Sequence, residues 1–397
     1  MKQKIKIVIG ANFGDEGKGL ITDFFSYCLP TLVVMSNGGA QRGHTVDTAD
    51  GKHHVFKHFG SGTFNGADTY FSEYFILNPM TFRKEYEEIK YFFNKDLFPK
   101  LYFHQNCRWT TPFDILVNQI VEEERDNNRH GSCGMGIWET VYRYENSFDI
   151  QKIYNFLFMT YDQKVMFLKN LRDNYYINRL KEYGISSVPN SWKDIFYSDV
   201  LITNFISDVE FFLAKCSPTT DEVIKTYPNV VFENGQGLLL DMDMTFYGDN
   251  TTPTKTGVEN IIKILKRTYT DSELHSLDIE VCYVSRTYIT RHGAGRFLTE
   301  CRKEILNNNN MFDETNVNNE FQGSLRYGEL IVDSLCERIR FNSDKLISSV
   351  NSNNILVSLA FTHTNEVKPQ IDKLHGNLFG KIYVSDGKTA DTIKILK

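Results

Sequence analysis

Apolar residues follow two patterns along this chain, and together they indicate strands that alternate with helices. Short runs rich in β-branched residues predict buried strands, because such residues pack well on a pleated sheet. These runs lie at residues 5–9, 31–34, 229–232, 281–284 and 355–361. Elsewhere apolar residues recur every three or four positions, which is typical of amphipathic helices. This spacing covers residues 79–93 and about 147–226, and we expect the second stretch to form a helical insertion packed on the sheet.

Size and composition restrict the class of protein. A chain of 397 residues can bury a large core, as one large α/β domain or as two smaller ones. We find neither internal repeats nor a clear boundary, so we treat residues 1–397 as a single domain. With 41% hydrophobic and 24% charged residues the chain has the composition of a soluble globular protein. Its net charge of -6 gives no general basic surface for nucleic acid.

The same composition indicates a cytoplasmic setting. No apolar run approaches the length of a membrane span, and the N-terminus lacks the long apolar segment of a signal peptide. The seven cysteines are scattered and form no C-x-x-C pair, which is typical of reduced, packed thiols without a disulfide framework or a zinc site. We therefore expect a cytoplasmic protein that binds neither nucleic acid nor membranes.

The loop after the first predicted strand has the features of a polyphosphate site. Glycines stand at positions 10, 14, 17 and 19, and a helical pattern begins at Leu20. Such a loop presents backbone N–H groups at the positive end of a helix dipole, and Lys18 adds a full charge. An ordinary P-loop would have Gly at position 12 and Ser or Thr at position 19, where this chain has Asn12 and Gly19. A solvated glycine-rich turn with a chance lysine is the alternative for a lone glycine cluster.

Two carboxylates inside this loop, Asp15 and Glu16, need an explanation. A carboxylate beside a phosphate chain is costly unless a metal ion lies between them or the carboxylate moves a proton. The run Gly14-Asp15-Glu16-Gly17-Lys18-Gly19 resembles the phosphate loop of adenylosuccinate synthetases, which join aspartate to a 6-oxopurine nucleotide. The resemblance implies an α/β fold related to P-loop NTPases, with a large, mostly parallel central sheet flanked by helices. It also implies a homodimer that uses Mg²⁺.

The resemblance assigns roles to the residues of this loop. Asp15 and Lys18 would be catalytic, with Asp15 taking a proton from the purine and also holding Mg²⁺. Asn12 and Asp15 would contact the substrate nucleotide. The residues expected to bind the nucleoside triphosphate are Gly14, Glu16, Gly17, Lys18 and Gly19.

A second glycine-containing loop, residues 36–46, follows the strand predicted at residues 31–34. It resembles the family signature Gly-Gly-x-Asn-Ala-Gly-His-Thr, whose His donates to the transferred phosphoryl group and whose Gly carbonyl helps to hold magnesium. These roles imply a catalytic His44 and a metal-binding Gly43, with Gly43 and Thr45 beside the triphosphate. Gln41 replaces the Asn of the signature on the substrate side, and Arg42 replaces its Ala.

Three further segments match the nucleotide-binding parts of the family. Residues 131–137 correspond to the loop that binds the 5′-phosphate of the purine nucleotide, so Ser132 and Cys133 are expected there, and a Met replaces the family's Arg. Arg143 is the candidate for an arginine that crosses the dimer interface. The carboxamide of Gln236 and the hydroxyl of Thr251 complete the expected set of substrate-nucleotide contacts. Residues 290–300 keep the family spacing of Thr, Arg, Gly, Gly, Phe, Thr and Glu.

The C-terminal part departs most from the family. The aspartate-binding loop is about two residues shorter, and we expect Gly323, Ser324 and Arg326 to provide what remains of it. The resemblance places the family's Thr-Lys-Leu-Asp, which reads the guanine of GTP, at residues 357–360, which lack both Lys and Asp. This loss predicts a relaxed or adenine-directed choice of donor. For Asp386 we expect a surface turn rather than a contact with a base or ribose.

The resemblance implies a ligase that uses a purine nucleoside monophosphate, L-aspartate and ATP or GTP. IMP is the default substrate, which would give adenylosuccinate through a 6-phosphoryl intermediate. Some viral relatives, including phage enzymes, act instead on dGMP to make a 2-amino-N6-succinyl nucleotide, with ATP as donor. A nucleotide-binding regulator without turnover is a third hypothesis, because the aspartate loop is eroded. The presence of both Asp15 and His44 argues against a regulator without turnover, since a module that only binds nucleotides needs no proton acceptor.

Overall fold

The computed structural model describes residues 2–27, 30–94, 97–126, 131–146, 152–248, 250–306, 324–350, 352 and 354–397. Its strands, in chain order, are Lys4–Gly10 (β1), Thr31–Met35 (β2), His44–Asp47 (β3), His53–Phe56 (β4), Asp68–Phe71 (β5), Ile76–Leu77 (β6), Leu101–His104 (β7), Arg108–Trp109 (β8), Ser217–Thr219 (β9), Asn229–Gly237 (β10), Asp278–Arg286 (β11), Ile289–Arg291 (β12), Arg326–Gly328 (β13), Ile355–Thr362 (β14), Lys381–Ser385 (β15) and Ile393–Ile395 (β16).

The helices surround the strands and include one long run between β8 and β9. They are Lys18–Phe25 (α1), Pro79–Ile89 (α2), Pro112–Glu124 (α3), Ile137–Asn146 (α4), Tyr161–Asn170 (α5), Ile177–Glu182 (α6), Asn190–Phe196 (α7), Asp199–Lys215 (α8), Glu259–Thr268 (α9), Asp271–Ser276 (α10) and Val332–Val350 (α11). A π-helical turn, Leu171–Tyr176, joins α5 to α6. Among the described residues no helix is long and apolar enough to cross a membrane.

A central sheet organises the described part of the chain. Ten strands form it in the order β16-β15-β14-β11-β1-β10-β2-β5-β7-β9. Every neighbouring pair is parallel except β15 with β16. The prediction of a large, mostly parallel sheet is therefore confirmed. Because parallel strands end at one edge, the loops after β1, β2, β10, β11 and β14 meet there, which is where ligands bind in such sheets.

Alternate residues of the central strands enter cores on opposite faces of the sheet. Val8 packs on the face covered by α1, α2, α3 and α8, whereas Ile7 and Ile9 pack on the face covered by α9 and α11. Both faces are buried, so the strands read as continuous apolar runs. The β-branched runs of the sequence predicted β1, β2, β10, β11 and β14 for this reason.

The helical stretch predicted at about residues 147–226 contains α5 to α8. Its longest helix, α8, lies on the β5–β7 side of the sheet, where the ring centroid of Phe212 is 6.0 Å from that of Phe71 and 5.2 Å from that of Phe103. Thus the aromatic stripe of this region is core, as expected from its helical spacing.

Candidate active site

The glycine-rich loop between β1 and α1 is closed around the side chain of Glu16. Glu16 Oε1 accepts hydrogen bonds from the amide of Asn12 at 3.1 Å and from the amide of Gly14 at 2.7 Å. Lys18 Nζ donates to the carbonyl of Gly14 at 2.5 Å and lies 3.6 Å from Glu16 Oε2. Burial raises the pKa of Glu16, and the charge of Lys18 opposes that shift. Two amides that could face a phosphate therefore hold a carboxylate here, so Glu16 shapes the loop from within.

Two glycines explain why this loop departs from an ordinary P-loop. Gly17 has a φ of 88°, in the left-handed region, immediately before α1. Gly19 lies against the backbone of β3, because a Cβ atom there would stand 2.7 Å from the carbonyl oxygen of Thr45 and 3.1 Å from the carbonyl carbon of His44. A Ser or Thr at position 19 would collide with the strand that carries His44.

Asn12 belongs to the interior of the loop rather than to an open surface. Its Nδ2 donates to Ser285 Oγ at 2.9 Å, and its Oδ1 accepts from Arg338 Nη2 at 2.7 Å. Arg338, on α11, also donates from Nε to the carbonyl of Ala11 at 2.8 Å, and burial lowers its pKa to about 10. Both ends of the Asn12 amide are thus engaged within the protein, so the structure does not present Asn12 to a substrate as expected.

Two more residues from distant strands hold the loop backbone. Arg286, at the end of β11, donates from Nε to the carbonyl of Asp15 at 2.5 Å. Thr362, at the end of β14, donates from Oγ1 to the carbonyl of Glu16 at 2.8 Å. The sequence analysis missed Arg286, Arg338 and Thr362, because nothing in a single sequence marks a side chain that contacts a backbone more than 250 positions away.

His44 is held by Glu233, a buried residue of β10. His44 Nδ1 lies 2.5 Å from Glu233 Oε1, and since a carboxylate only accepts, Nδ1 carries the proton. Burial, reinforced by Arg42, lowers the pKa of His44 to about 4 in spite of Glu233. The imidazole is therefore neutral at pH 7, and its Nε2 is the ring nitrogen left to a ligand.

Glu233 organises this second loop, although the sequence marked it only as the end of a strand. Its Oε2 lies 3.3 Å from Arg42 Nη2 and accepts from the amide of Ser61 at 3.0 Å. The Ser61 hydroxyl donates to Oε1. Burial raises the pKa of Glu233, but Arg42 and His44 outweigh burial and bring it to about 2. The Arg that replaces the family's Ala thus neutralises the carboxylate that orients His44.

A cavity of about 720 Å³ borders the second loop, through Gln41, and the end of β10, through Gln236. Five of the expected substrate residues line it, together with a histidine that the sequence analysis did not single out: Gln41, Ser132, Cys133, Gln236, Thr251 and His292. The Gln41 side-chain amide is buried without a hydrogen-bond partner at either end, and so is Gln236 Oε1. Gln236 also has a φ of 54°, which is unusual outside glycine. Unpaired buried amides beside a cavity are typical of a ligand site.

The glycine-spaced loop at residues 131–136 forms one wall of this cavity. Ser132 Oγ accepts from Asn118 Nδ2 at 3.0 Å and from the amide of Gly134 at 3.2 Å. Burial raises the pKa of the Cys133 thiol, so it is a neutral side chain there. Asn118 also accepts from the amide of Gly136 at 3.2 Å, so α3 shapes this loop.

Arg143 does not line this cavity. It is fully buried on α4, where Nη2 lies 2.9 Å from Asp114 Oδ2 and 2.7 Å from the carbonyl of Trp109. Burial lowers the pKa of Arg143, but the charge of Asp114 outweighs it and holds the pKa above its ordinary value. The guanidinium is therefore satisfied within its own chain, and the structure gives no support to the expectation that it reaches a partner's site.

The expected aspartate-binding residues are only partly described, since Gly323 lies outside the described residues. Ser324 is exposed, at the start of the segment that leads into β13. Arg326 pairs with Glu300, Nε to Oε1 at 2.8 Å, and its Nη1 donates to the carbonyls of Gly293 at 3.2 Å and Gly295 at 2.9 Å. In this structure Arg326 therefore stabilises the turn at residues 292–295.

The position that we assigned to the donor base was wrong. Residues 357–360 lie inside β14, which ends only at Thr362, and they are buried in the middle of the sheet. They cannot contact a base at the strand edge, so the argument for donor choice from their lack of Lys and Asp fails. Asp386 is exposed, and its Oδ2 lies 3.0 Å from Lys394 Nζ, as expected for a residue in a surface turn.

A mostly parallel sheet with a glycine-rich loop after its central strand, near a cavity with unpaired amides, is the arrangement typical of nucleotide-binding α/β proteins. The family model described as adenylosuccinate synthetase matches residues 7–321. The chain belongs to the adenylosuccinate synthetase family.

Similar proteins and structures agree with this family. Adenylosuccinate synthetase of Lactobacillus acidophilus is 30% identical over 303 residues, which cover 75% of this chain and 65% of that protein. The enzyme of the same name from Microcystis aeruginosa is 28% identical over 306 residues, covering 75% and 63%. The chain thus spans less than two thirds of these relatives' lengths.

Two solved structures share the fold. A fully ligated adenylosuccinate synthetase from Plasmodium falciparum superposes with a TM-score of 0.61 at 19% identity, covering 91% of this chain and 77% of that one. Cyanophage S-2L succinoaminodeoxyadenylate synthetase (PurZ), bound to dGMP and dATP, also has a TM-score of 0.61, at 12% identity, and covers 99% and 95%. At these identities the likeness concerns the fold.

Proposed function

We propose that this chain joins L-aspartate to C6 of a 6-oxopurine nucleoside monophosphate, converting IMP to adenylosuccinate at the expense of a nucleoside triphosphate. The observation that carries the proposal is the position of Asp15. Its carboxylate stands on the phosphate loop and lies 3.3 Å from His292, a residue of the cavity with the unpaired amides of Gln41 and Gln236. A proton acceptor between a phosphate site and a nucleotide-sized cavity suits a reaction that activates the nucleotide by phosphorylation.

The proposed reaction has two steps. Asp15 accepts the proton of purine N1, and electron density moves to O6, which attacks the γ-phosphorus while the nucleoside diphosphate leaves. The Asp15 O–H bond and the O6–P bond form as the N1–H bond and the bridging P–O bond break. Lys18 stabilises charge on the transferred group, and His44 donates to it from Nε2 once the negative phosphate and Glu233 together hold a second proton on the imidazole. The aspartate amine then displaces phosphate from C6 and yields the N6-succinyl nucleotide.

Magnesium suits the residues at hand. Among the described residues no cluster of three or more His, Cys, Asp or Glu side chains could hold a metal ion. Mg²⁺ in nucleotide sites needs no such cluster, because phosphate oxygens and water supply most of its ligands. The partly exposed Asp15 carboxylate and the carbonyl of the exposed Gly43 are the protein oxygens that would hold it. When bound, Mg²⁺ neutralises charge on the phosphates.

A dGMP-directed reaction with ATP as donor is the second candidate. It is favoured by the match to the phage PurZ structure, which extends over 99% of this chain and 95% of PurZ, whereas the match to the Plasmodium enzyme leaves 23% of that chain uncovered. The product would be the 2-amino-N6-succinyl deoxynucleotide. We also propose that the protein is a cytoplasmic homodimer, which sedimentation at micromolar concentration would test.

The deciding experiment is a matrix of reactions with Mg²⁺ and L-aspartate. IMP or dGMP is combined with ATP or GTP, and phosphate release is measured together with the mass of the nucleotide product. We expect release with one monophosphate, and its identity separates the two candidates. Asp15→Asn, which keeps the shape of the side chain but removes the base, should stay folded and lose turnover. No release with any combination would contradict the proposal and leave the non-catalytic nucleotide binder.

A further inference from the structure

His292 contacts the side chain of Asp15. His292 Nε2 lies 3.3 Å from Asp15 Oδ2, and the two side chains are 20% and 29% exposed. His292 lines the cavity, and Asp15 contacts it from the glycine-rich loop. Neither the loop motif nor the motif at residues 290–300 assigns a role to this position, which is the variable residue between Arg291 and Gly293.

The backbone around His292 is built to keep this contact. Arg291 is buried and its guanidinium lies 4.6 Å from the ring centroid of Phe13, two positions before Asp15. On the other side, Gly293 has a φ of 75° and its carbonyl accepts from Arg326 Nη1 at 3.2 Å. The turn is therefore tied to the Asp15 loop on one side and to β13 on the other.

A further wall of the cavity lies against the same turn. A Cβ atom placed on Gly131 would stand 3.1 Å from the amide nitrogen of Ala294. Conversely, a Cβ atom placed on Gly293 would stand 3.3 Å from the carbonyl oxygen of Gly131, so the loop at residues 131–136 and the His292 turn approach each other backbone to backbone. The backbone on both sides of His292 is thus held by contacts to Phe13, Arg326 and Gly131, and its imidazole lines the cavity.

We propose that His292 is a positioning residue for Asp15: its Nε2–H donates to Oδ2 and holds the carboxylate so that the other oxygen meets purine N1–H. This inference rests on the proposed function. A carboxylate on a glycine-rich loop has free χ1 and χ2 rotations, and one charge-assisted hydrogen bond from a fixed donor removes most of them. Holding a base within reach of its proton is a large part of what general base catalysis needs.

The test compares three variants in the reaction that the wild type performs. His292→Leu removes the donor at similar volume, and we expect kcat to fall about ten- to a hundredfold, the effect of losing one hydrogen bond to a charged group. The KM for the monophosphate should change less than threefold. His292→Gln places an amide N–H near the position of Nε2 and should restore most of kcat. His375→Leu removes a histidine that also contacts an aspartate, Asp333, at 2.9 Å outside the cavity, and should leave kcat unchanged.

A partial reaction locates the effect. Without L-aspartate, exchange of ¹⁸O between the bridging and non-bridging positions of the β,γ-phosphates reports phosphoryl transfer to O6 alone. We expect His292→Leu to slow this exchange as much as it slows turnover, because Asp15 acts in that step. The double variant Asp15→Asn/His292→Leu should be no slower than Asp15→Asn, since a residue that acts only through Asp15 adds nothing once the base is gone.

Several results would overturn the inference while the proposed function stands. They are an unchanged kcat in His292→Leu, a raised KM with kcat intact, or an equal loss in the Leu and Gln variants. If His292→Leu unfolds, as judged by circular dichroism, His292→Ser replaces it, since Ser shortens the side chain without adding apolar area. Absence of turnover in the wild type would instead refute the proposed function, so the two failures are distinguishable.

Discussion

Replacing Gly19 by Ala tests whether the position of His44 depends on close packing between α1 and β3. The added Cβ would stand 2.7 Å from the carbonyl oxygen of Thr45, whereas ordinary van der Waals contact begins at 3.4 Å. The backbone must therefore separate by about 0.7 Å, the difference between these two distances. Both atoms in closest contact belong to backbone, so no side-chain rotation can relieve the clash. The strand that moves is the one that carries His44.

Two opposing effects determine the size of the loss. Overpacking of this kind costs about 1–3 kcal/mol. Ala gains up to about 1 kcal/mol over Gly in a helix, less near the N-terminus where position 19 lies. We therefore expect the free energy of unfolding to fall by about 0.5–2 kcal/mol. Turnover should fall further, by about ten- to a hundredfold, since a displacement approaching 1 Å at a catalytic group has that effect.

Urea unfolding monitored by circular dichroism gives the stability, and phosphate release gives kcat. Gly376→Ala is the matched control, because a Cβ atom at Gly376 would meet nothing within 4 Å. It should change neither quantity. If Gly19→Ala behaved like this control in both assays, the argument that α1 and β3 are packed to contact at Gly19 would be refuted.

Two further predictions concern buried charge. Lys18→Met should weaken triphosphate binding, measured by calorimetry, about a hundredfold, and it should destabilise the fold because the Glu16 carboxylate is left uncompensated. The double variant Lys18→Met/Glu16→Gln should regain stability, since that carboxylate is gone, but not affinity. Burial, and secondly the charge of Glu233, raise the pKa of Asp23 in the folded protein from 3.8 to about 7. As pH rises, the unfolded chain therefore loses this proton at a lower pH than the folded chain does, and the free energy of unfolding falls between about pH 4 and pH 7. Asp23→Asn should therefore stabilise the protein at pH 8, by on the order of 4 kcal/mol, and hardly at pH 4, as urea titrations at both pH values would show.

Hydrophobic patterning predicted the fold because the central strands are buried on both faces. Each such strand is a continuous apolar run, and the run 229–232 became β10 and 281–284 became β11. The same property explains the error at residues 357–360. A strand that is apolar apart from one buried serine, Ser358, gives no sign of where it meets the edge of the sheet. β14 continues to Thr362 before the backbone turns at His363, whose φ is 57°.

The candidate site could be predicted where a motif is local and not where it depends on distant contacts. Gly17 and Gly19 act through their own backbone, so their spacing alone marks the loop. Glu233 was missed as the partner of His44, because the two are separated by 189 positions and meet only when β10 pairs beside β2. The sequence showed Arg42 only as a replacement for the Ala of the second signature, whereas in the structure it neutralises Glu233.

These distant contacts imply that the conformation of the glycine-rich loop depends on the whole sheet and not only on the residues of its own motif. The carbonyl of Asp15 is held from β11, that of Glu16 from β14, and that of Ala11 from α11. All three anchors lie in the last third of the sequence, so the loop cannot reach this conformation before those elements are in place. The part of the chain that departs most from the family is therefore inserted between two elements that the phosphate loop requires, β11 and α11.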